Sequence, residues 1–158
     1  MTEKNQSNNW KSGRGKLGIL KPLLGCWIAT GDSEMGKMKC TRTFTKVLDG
    51  SYIQLTAKWE FPSKVYEEIA IIGLNESQIS FWSFSSDGKK SLGKISDATD
   101  IHSQAICFEA QMPAGLARMI YWPDEKDGFC WAVEAKNKKG WNRFTEHHYK
   151  PIEPSSTR

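Results

Sequence analysis

The chain predicts an all-β fold: a roughly ten-stranded antiparallel meander closed into a barrel, with a short helix before the first strand. Three observations predict it. After Pro22 the sequence breaks into short extended segments with almost no helical period. Turn residues separate those segments at regular intervals, as in Leu48-Asp49-Gly50, Ser86-Asp87-Gly88, Asp127-Gly128 and Lys139-Gly140, where glycine supplies the positive φ of a hairpin. Finally, Gly25-x-Trp27 opens the first strand and Arg143 lies on the last. In a closed barrel Trp27 plugs one end, Gly25 lets the backbone pass close to it, and the Arg143 guanidinium stacks on the indole. Closure also removes the two exposed edges that an open meander would leave, although strand count and turn spacing alone fit an open sandwich as well.

The elements follow in order. Residues 1–15 are rich in Asn, Ser, Gly and Lys and predict a disordered basic tail. Leu17, Leu20, Leu23 and Leu24 fall at helical spacing, so a short helix over Lys16–Leu24 is expected to lid one end of the barrel. Strands are expected over Leu23–Gly31, Lys39–Val47, Ser51–Glu60, Val65–Leu74, Gln78–Ser85, Ser91–Ala98, Ala105–Met112, Leu116–Trp122, Phe129–Lys136 and Trp141–Lys150. Pro62, Pro113 and Pro123 fall between strands, where a missing N–H costs no ladder bond. One barrel domain over residues 16–152, followed by a flexible 153–158, accounts for the chain.

Composition limits the function. Residues 1–22 hold Lys4, Lys11, Arg14, Lys16 and Lys21 against Glu3, so this segment carries the whole formal charge of +4 and leaves the barrel neutral. A neutral folded surface argues against nucleic acid, which needs clustered basic residues. No apolar h-region follows the early charges and no apolar stretch is long enough for a spanning helix, so a cytoplasmic protein without export signal or membrane span is expected. Cys26, Cys40, Cys107 and Cys130 show no metal-type spacing and are expected as reduced, buried thiols. Signatures of hydrolases, zinc proteases and nucleotide-binding loops do not occur, and the neighbours Glu67 and Glu68 would face opposite sides of a strand, making a poor acid and base pair.

Leu23-x-Gly25-x-Trp27, then Arg42 and Phe44, then Leu48-Asp49-Gly50 and Tyr52, with Arg143 on the last strand, resemble the pattern of small bacterial calycin-like domains of unassigned function. The calycin superfamily also includes lipocalins, fatty-acid-binding proteins and nitrobindins. The resemblance covers about Leu20 to Ile152 and implies a barrel around an internal cavity. The nitrobindin motif Gly-x-Trp-x-Gly-x-Gly is matched at Gly25, Trp27 and Gly31, with Ala29 in place of one glycine. That resemblance implies haem b as a cofactor, with His147 as its iron ligand and gas or peroxynitrite chemistry.

Period two on the last strand places Trp141, Arg143, Thr145, His147 and Tyr149 on one face, so His147 would point inward if Arg143 does. Arg118 is a charge in the apolar run Leu116–Trp122. Inside a cavity it would need an anionic partner such as a ligand carboxylate; outside, it would pair with Glu109 or Glu134 across strands. Trp131 and other tryptophans suit either a core or the wall of an aromatic cavity. The expectation is therefore non-catalytic binding of a small, largely apolar molecule without cofactor. Arg118, His147, Tyr52 and Trp131 are the candidate ligand contacts, and Gly25, Trp27 and Arg143 close the barrel. The alternatives are a haem barrel and an interaction module with a packed interior; a homodimer is compatible with each.

Overall fold

The computed structural model describes residues 10–152. Ten strands form one antiparallel sheet closed into a barrel: β1 (Gly25–Ser33), β2 (Gly36–Val47), β3 (Tyr52–Phe61), β4 (Lys64–Asn75), β5 (Gln78–Ser85), β6 (Lys90–Ser96), β7 (Ile106–Met112), β8 (Gly115–Pro123), β9 (Phe129–Asn137) and β10 (Gly140–Pro151). Each strand pairs with its sequence neighbours, and β1 closes on β10. Every expected strand is present, with ends shifted by at most three residues, and β2 and β3 show the expected period-two burial. Arg42, for example, sits in the buried row Met38, Cys40, Arg42 and Phe44 of β2.

The expected helix forms as a 3₁₀ helix, Gly18–Leu23. The i, i+3 spacing of Leu17, Leu20 and Leu23 stacks these leucines on one side of a three-residue turn, and Leu20 and Leu23 are fully buried. They close one end of the barrel together with Trp27, Phe44, Phe129 and Tyr149. The packed chain begins earlier than expected. Trp10 is buried, packs on Phe129 and donates its indole N–H to the Gln104 carbonyl at 2.8 Å, so residues 10–15 do not belong to a tail. The rest of the expected tail, and the expected flexible end 153–158, lie outside the described residues.

Trp27 plugs the barrel end, but through other partners than expected. Its N–H donates to the Leu23 carbonyl at 2.8 Å, and its ring packs edge-to-face with Phe129, ring centres 4.8 Å apart. Arg143 does not reach it: the guanidinium lies 5.1 Å from the Trp122 ring centre, outside the barrel. The reason is a bulge. Arg143 is opposite Glu134 and Thr145 is opposite Val133, which leaves Phe144 as an extra residue on β10 and inverts the facing of everything before it. His147 and Tyr149 therefore face inward, as period two predicts, while Trp141 and Arg143 face out. Gly25 adopts φ 129°, and this conformation, more than any close approach to Trp27, is what demands glycine there. Gly128 differs from the expectation in the opposite sense. Its φ is not positive, and glycine is required because an added Cβ would collide with the Tyr149 carbonyl on β10.

Candidate functional site

The side chains do not fill the barrel. A cavity of about 550 Å³, within the range of small-molecule sites, occupies the half opposite the 3₁₀ helix. Its wall is mainly aromatic, with Trp59 and Phe61 from β3, Tyr66 from β4, Phe81 from β5, Phe108 from β7 and Trp131 from β9. Met35, Met112 and Phe144 reach it from the rim and remain solvent-exposed, so the cavity opens at this end. The bulge that expels Arg143 also delivers Phe144 to the mouth. The β1–β10 seam is short: Trp27 pairs with Pro151 and Ile28 with Lys150, and from Ala29 onward β1 has ladder partners only on β2.

Below the cavity lies Arg42, 1% exposed and enclosed by four rings. Its guanidinium is 4.8 Å from the Trp131 ring centre, 5.6 Å from Tyr149, 5.9 Å from Tyr121 and 6.0 Å from Trp59. It donates to the Tyr121 hydroxyl at 2.9 Å and to the Tyr149 hydroxyl at 3.4 Å. Among the described residues no carboxylate forms a salt bridge with it. Burial works against its charge, but the fields of Tyr121, Tyr149, Cys40 and Glu68 outweigh this and raise its pKa well above the ordinary value. Burial in turn pushes the Tyr149 hydroxyl and the Cys40 thiol up, so both stay protonated at neutral pH.

Glu68 is the carboxylate nearest in the barrel's register. Arg42 is opposite Ala57 and Ala57 is opposite Glu68, which puts the two charges on the same interior face of β2 and β4 with a small residue between them. Glu68 lines the cavity, whereas Glu67 is exposed on the outer face, as the strand period predicts. Ser83 and Ser91 add a pair of hydroxyls bonded to each other at 2.7 Å. The indole N–H of Trp131, another wall residue, is buried and has no hydrogen-bond partner.

The expected contacts separate sharply. Trp131 lines the cavity. Tyr52 does not: it faces outward and lies flat over Gly73, where a Cβ would strike its ring. Arg118 borders the cavity, but its guanidinium is turned to the outer face. There it donates to Glu134 at 2.9 Å and grips Asp100 with two bonds, at 2.8 and 3.2 Å, so the cross-strand pairing with Glu134 is the one realised. Arg143 donates to the other Glu134 oxygen at 2.9 Å and to Glu146 at 2.8 Å. These groups clamp the loop between β6 and β7 onto the wall and have no free donors aimed inward.

His147 faces inward and packs beside the Trp59–Trp131 pair, its ring centre 5.6 Å from Trp59 and 5.5 Å from Trp131, which are themselves 5.6 Å apart, and it is not part of the cavity wall. Burial, reinforced by the nearby Arg42 and His148, lowers its pKa and leaves the imidazole neutral at neutral pH. Ala29, with its methyl buried, stands where the haem motif has glycine. The arrangement does not fit a haem: both indoles pack against the imidazole, which does not border the cavity. Hemin added to the protein is expected to keep its free spectrum, and a Soret band that His147→Ala abolishes would overturn this.

Cys40, Cys107 and Cys130 are buried as expected, and Cys26 is exposed. Burial pushes the Cys107 thiol up to about 12 and the Cys130 thiol up to about 11, so neither is an activated nucleophile. Among the described residues no group of three or more potential ligands could hold a metal ion, and no helix is long and apolar enough to cross a membrane.

Arg42, read only as part of the calycin-like pattern, and Glu68, read only as half of a poor acid and base pair, are the interior charges that sequence reasoning did not assign to the site. Both sit at in-facing positions of alternating rows, Met38-x-Cys40-x-Arg42-x-Phe44 and Tyr66-x-Glu68-x-Ala70-x-Ile72, and a charge interrupting an apolar row was the available signal. Compared with known protein families and curated proteins, the chain matches no family model and no curated relative.

Proposed function

We propose that the protein is a single-domain, calycin-like binding protein of the cytoplasm that holds one small, largely apolar molecule inside its barrel and performs no reaction on it. The observation that carries this reading is the aromatic cavity of about 550 Å³, capped at one end by the 3₁₀ helix and open at the other. A wall of six rings is preformed, so a ligand that enters displaces water from apolar surface without ordering the protein. Each buried methylene contributes about 0.8 kcal/mol, and a chain of ten about 8 kcal/mol, against several kcal/mol for the ligand's lost freedom. The unfilled interior speaks against an interaction module with a packed barrel.

Native mass spectrometry after mild purification tests the proposal. A fixed mass increment that heating or organic solvent removes is expected, together with a shift in tryptophan emission on reloading, because Trp59 and Trp131 form the wall. A chain that arrives empty and whose emission ignores long-chain alcohols, acids and amines alike would sink it.

A further inference from the structure

The charges that the barrel turns inward determine which polar group the ligand carries. Among the described residues, register places Arg42 and Glu68 on the interior face away from the mouth, while Lys46, in the same row as Arg42, lies exposed at the helix-capped end. Lys64 also borders the cavity, but at the rim, where it is exposed to solvent. Arg118, Glu134 and Arg143 satisfy one another on the outer wall. The interior thus contains one cation and one anion. The cation is already surrounded by four rings and two tyrosine hydroxyls, with Trp131 and Trp59 between it and the cavity. The anion lies on the cavity wall, and among the described residues it has no hydrogen bond or salt bridge. The buried Trp131 N–H, also on the wall, is the second unmet group. What the cavity lacks is therefore a donor for Glu68 and an acceptor for Trp131.

We infer that the ligand is a neutral amphiphile, a long or fused apolar body ending in a hydroxyl or amide, and that the paired Arg42 and Glu68 charges exclude fatty acids and amines. This rests on the reading of the barrel as a binding protein. A hydroxyl or amide is both donor and acceptor, so it serves either unmet group without adding charge. A carboxylate entering the cavity would lose its hydration and meet the Glu68 carboxylate on the wall, while the Arg42 guanidinium stays shielded beneath the indoles. An ammonium would gain Glu68 but share the interior with Arg42, and it too would be stripped of water. Either ion leaves the enclosed space with net charge, which a low-dielectric interior resists.

Dodecanol, dodecanoate and dodecylamine have the same body and differ only in the terminal group. Titrated into the full chain at pH 8 and followed by tryptophan emission, dodecanol is expected to bind at least about tenfold more tightly than either ion. Glu68→Gln retains an acceptor and removes the negative charge, so dodecanoate should gain about tenfold while dodecanol moves by less than about threefold. Arg42→Met removes the positive charge and should shift the preference to dodecylamine. The wild-type ranking needs no variant, and if one variant fails to fold the other still reads the charge balance. Dodecanoate or dodecylamine binding the wild-type chain as tightly as dodecanol, or a ranking unchanged by Glu68→Gln, overturns the inference and leaves the binding function standing. If none of the three binds, the proposed function falls and the inference with it.

Discussion

Replacing Glu134 with alanine is expected to lower the unfolding free energy by about 3 kcal/mol, the lower end of the range for breaking a buried ion pair, and the melting temperature by on the order of 10 °C. Glu134 is 4% exposed and uses one carboxylate oxygen for Arg118 and the other for Arg143. Arg118 is 3% exposed and lies 4.4 Å from the Trp141 ring centre, so the guanidinium is left largely desolvated when the carboxylate is removed. The loss stays near the lower end because Asp100 continues to grip Arg118 with two bonds. That grip holds the Asp100 carboxyl below the usual carboxylate range, and its contribution is lost as pH falls through the lowered pKa. Glu146→Ala is the control: its pair with Arg143 is solvent-exposed and should contribute less than about 1 kcal/mol. Urea unfolding of both variants checks the pair. Equal effects would mean that burial of Glu134 does not decide the energy of the cluster.

The second large effect concerns Arg42, where two substitutions should diverge. Arg42→Ala is expected to cost about 3 kcal/mol or more, because it removes the whole side chain from a cage of four rings and leaves a void that the barrel wall cannot collapse to fill. Arg42→Met restores most of that volume without a charge. The guanidinium is desolvated, forms no salt bridge and is offset only by ring faces, two hydroxyls and the more distant Glu68. An apolar replacement should therefore fall within about 1 kcal/mol of the wild type or exceed it. Denaturant midpoints with unchanged slope measure both. If methionine is as damaging as alanine, the charge itself holds the cage together, and the ring contacts count for more than their geometry suggests.

These two clusters also show how far sequence reasoning reaches into the site. Arg118 and Arg143 were visible as charges in β-type segments, and Glu134 as a cross-strand partner for Arg118. Their real arrangement depends on one bulge. Before Phe144 the facing of β10 is inverted, so the arginine expected against Trp27 joins the outer clamp, and His147, on the other side of the bulge, keeps the inward facing that period two assigns. Nothing local in Trp141-Asn142-Arg143-Phe144 marks which residue is extra, since the bulge is defined by its opposition to β9. Tyr52 was misplaced for a related reason: it is the first residue of its strand, paired with Val47 on β2, and its ring covers the side-chain-free Gly73 on the outside of β4.

By itself the sequence determined the ten strands, their antiparallel order, the hairpin turns and the leucine lid, because alternation, turn residues and i, i+3 spacing act over a few neighbouring residues. Gly25-x-Trp27 at the start of the first strand also pointed to Trp27 as an end plug, although the arginine expected against it lies elsewhere. Only the tertiary structure decided which charges point inward, that the interior is open and not packed, and that Arg42 and Glu68 share one face. Those properties depend on register around the whole ring of strands. A single inserted residue on β10 reverses a face there, and neither its position nor the size of the space enclosed is written in any one segment.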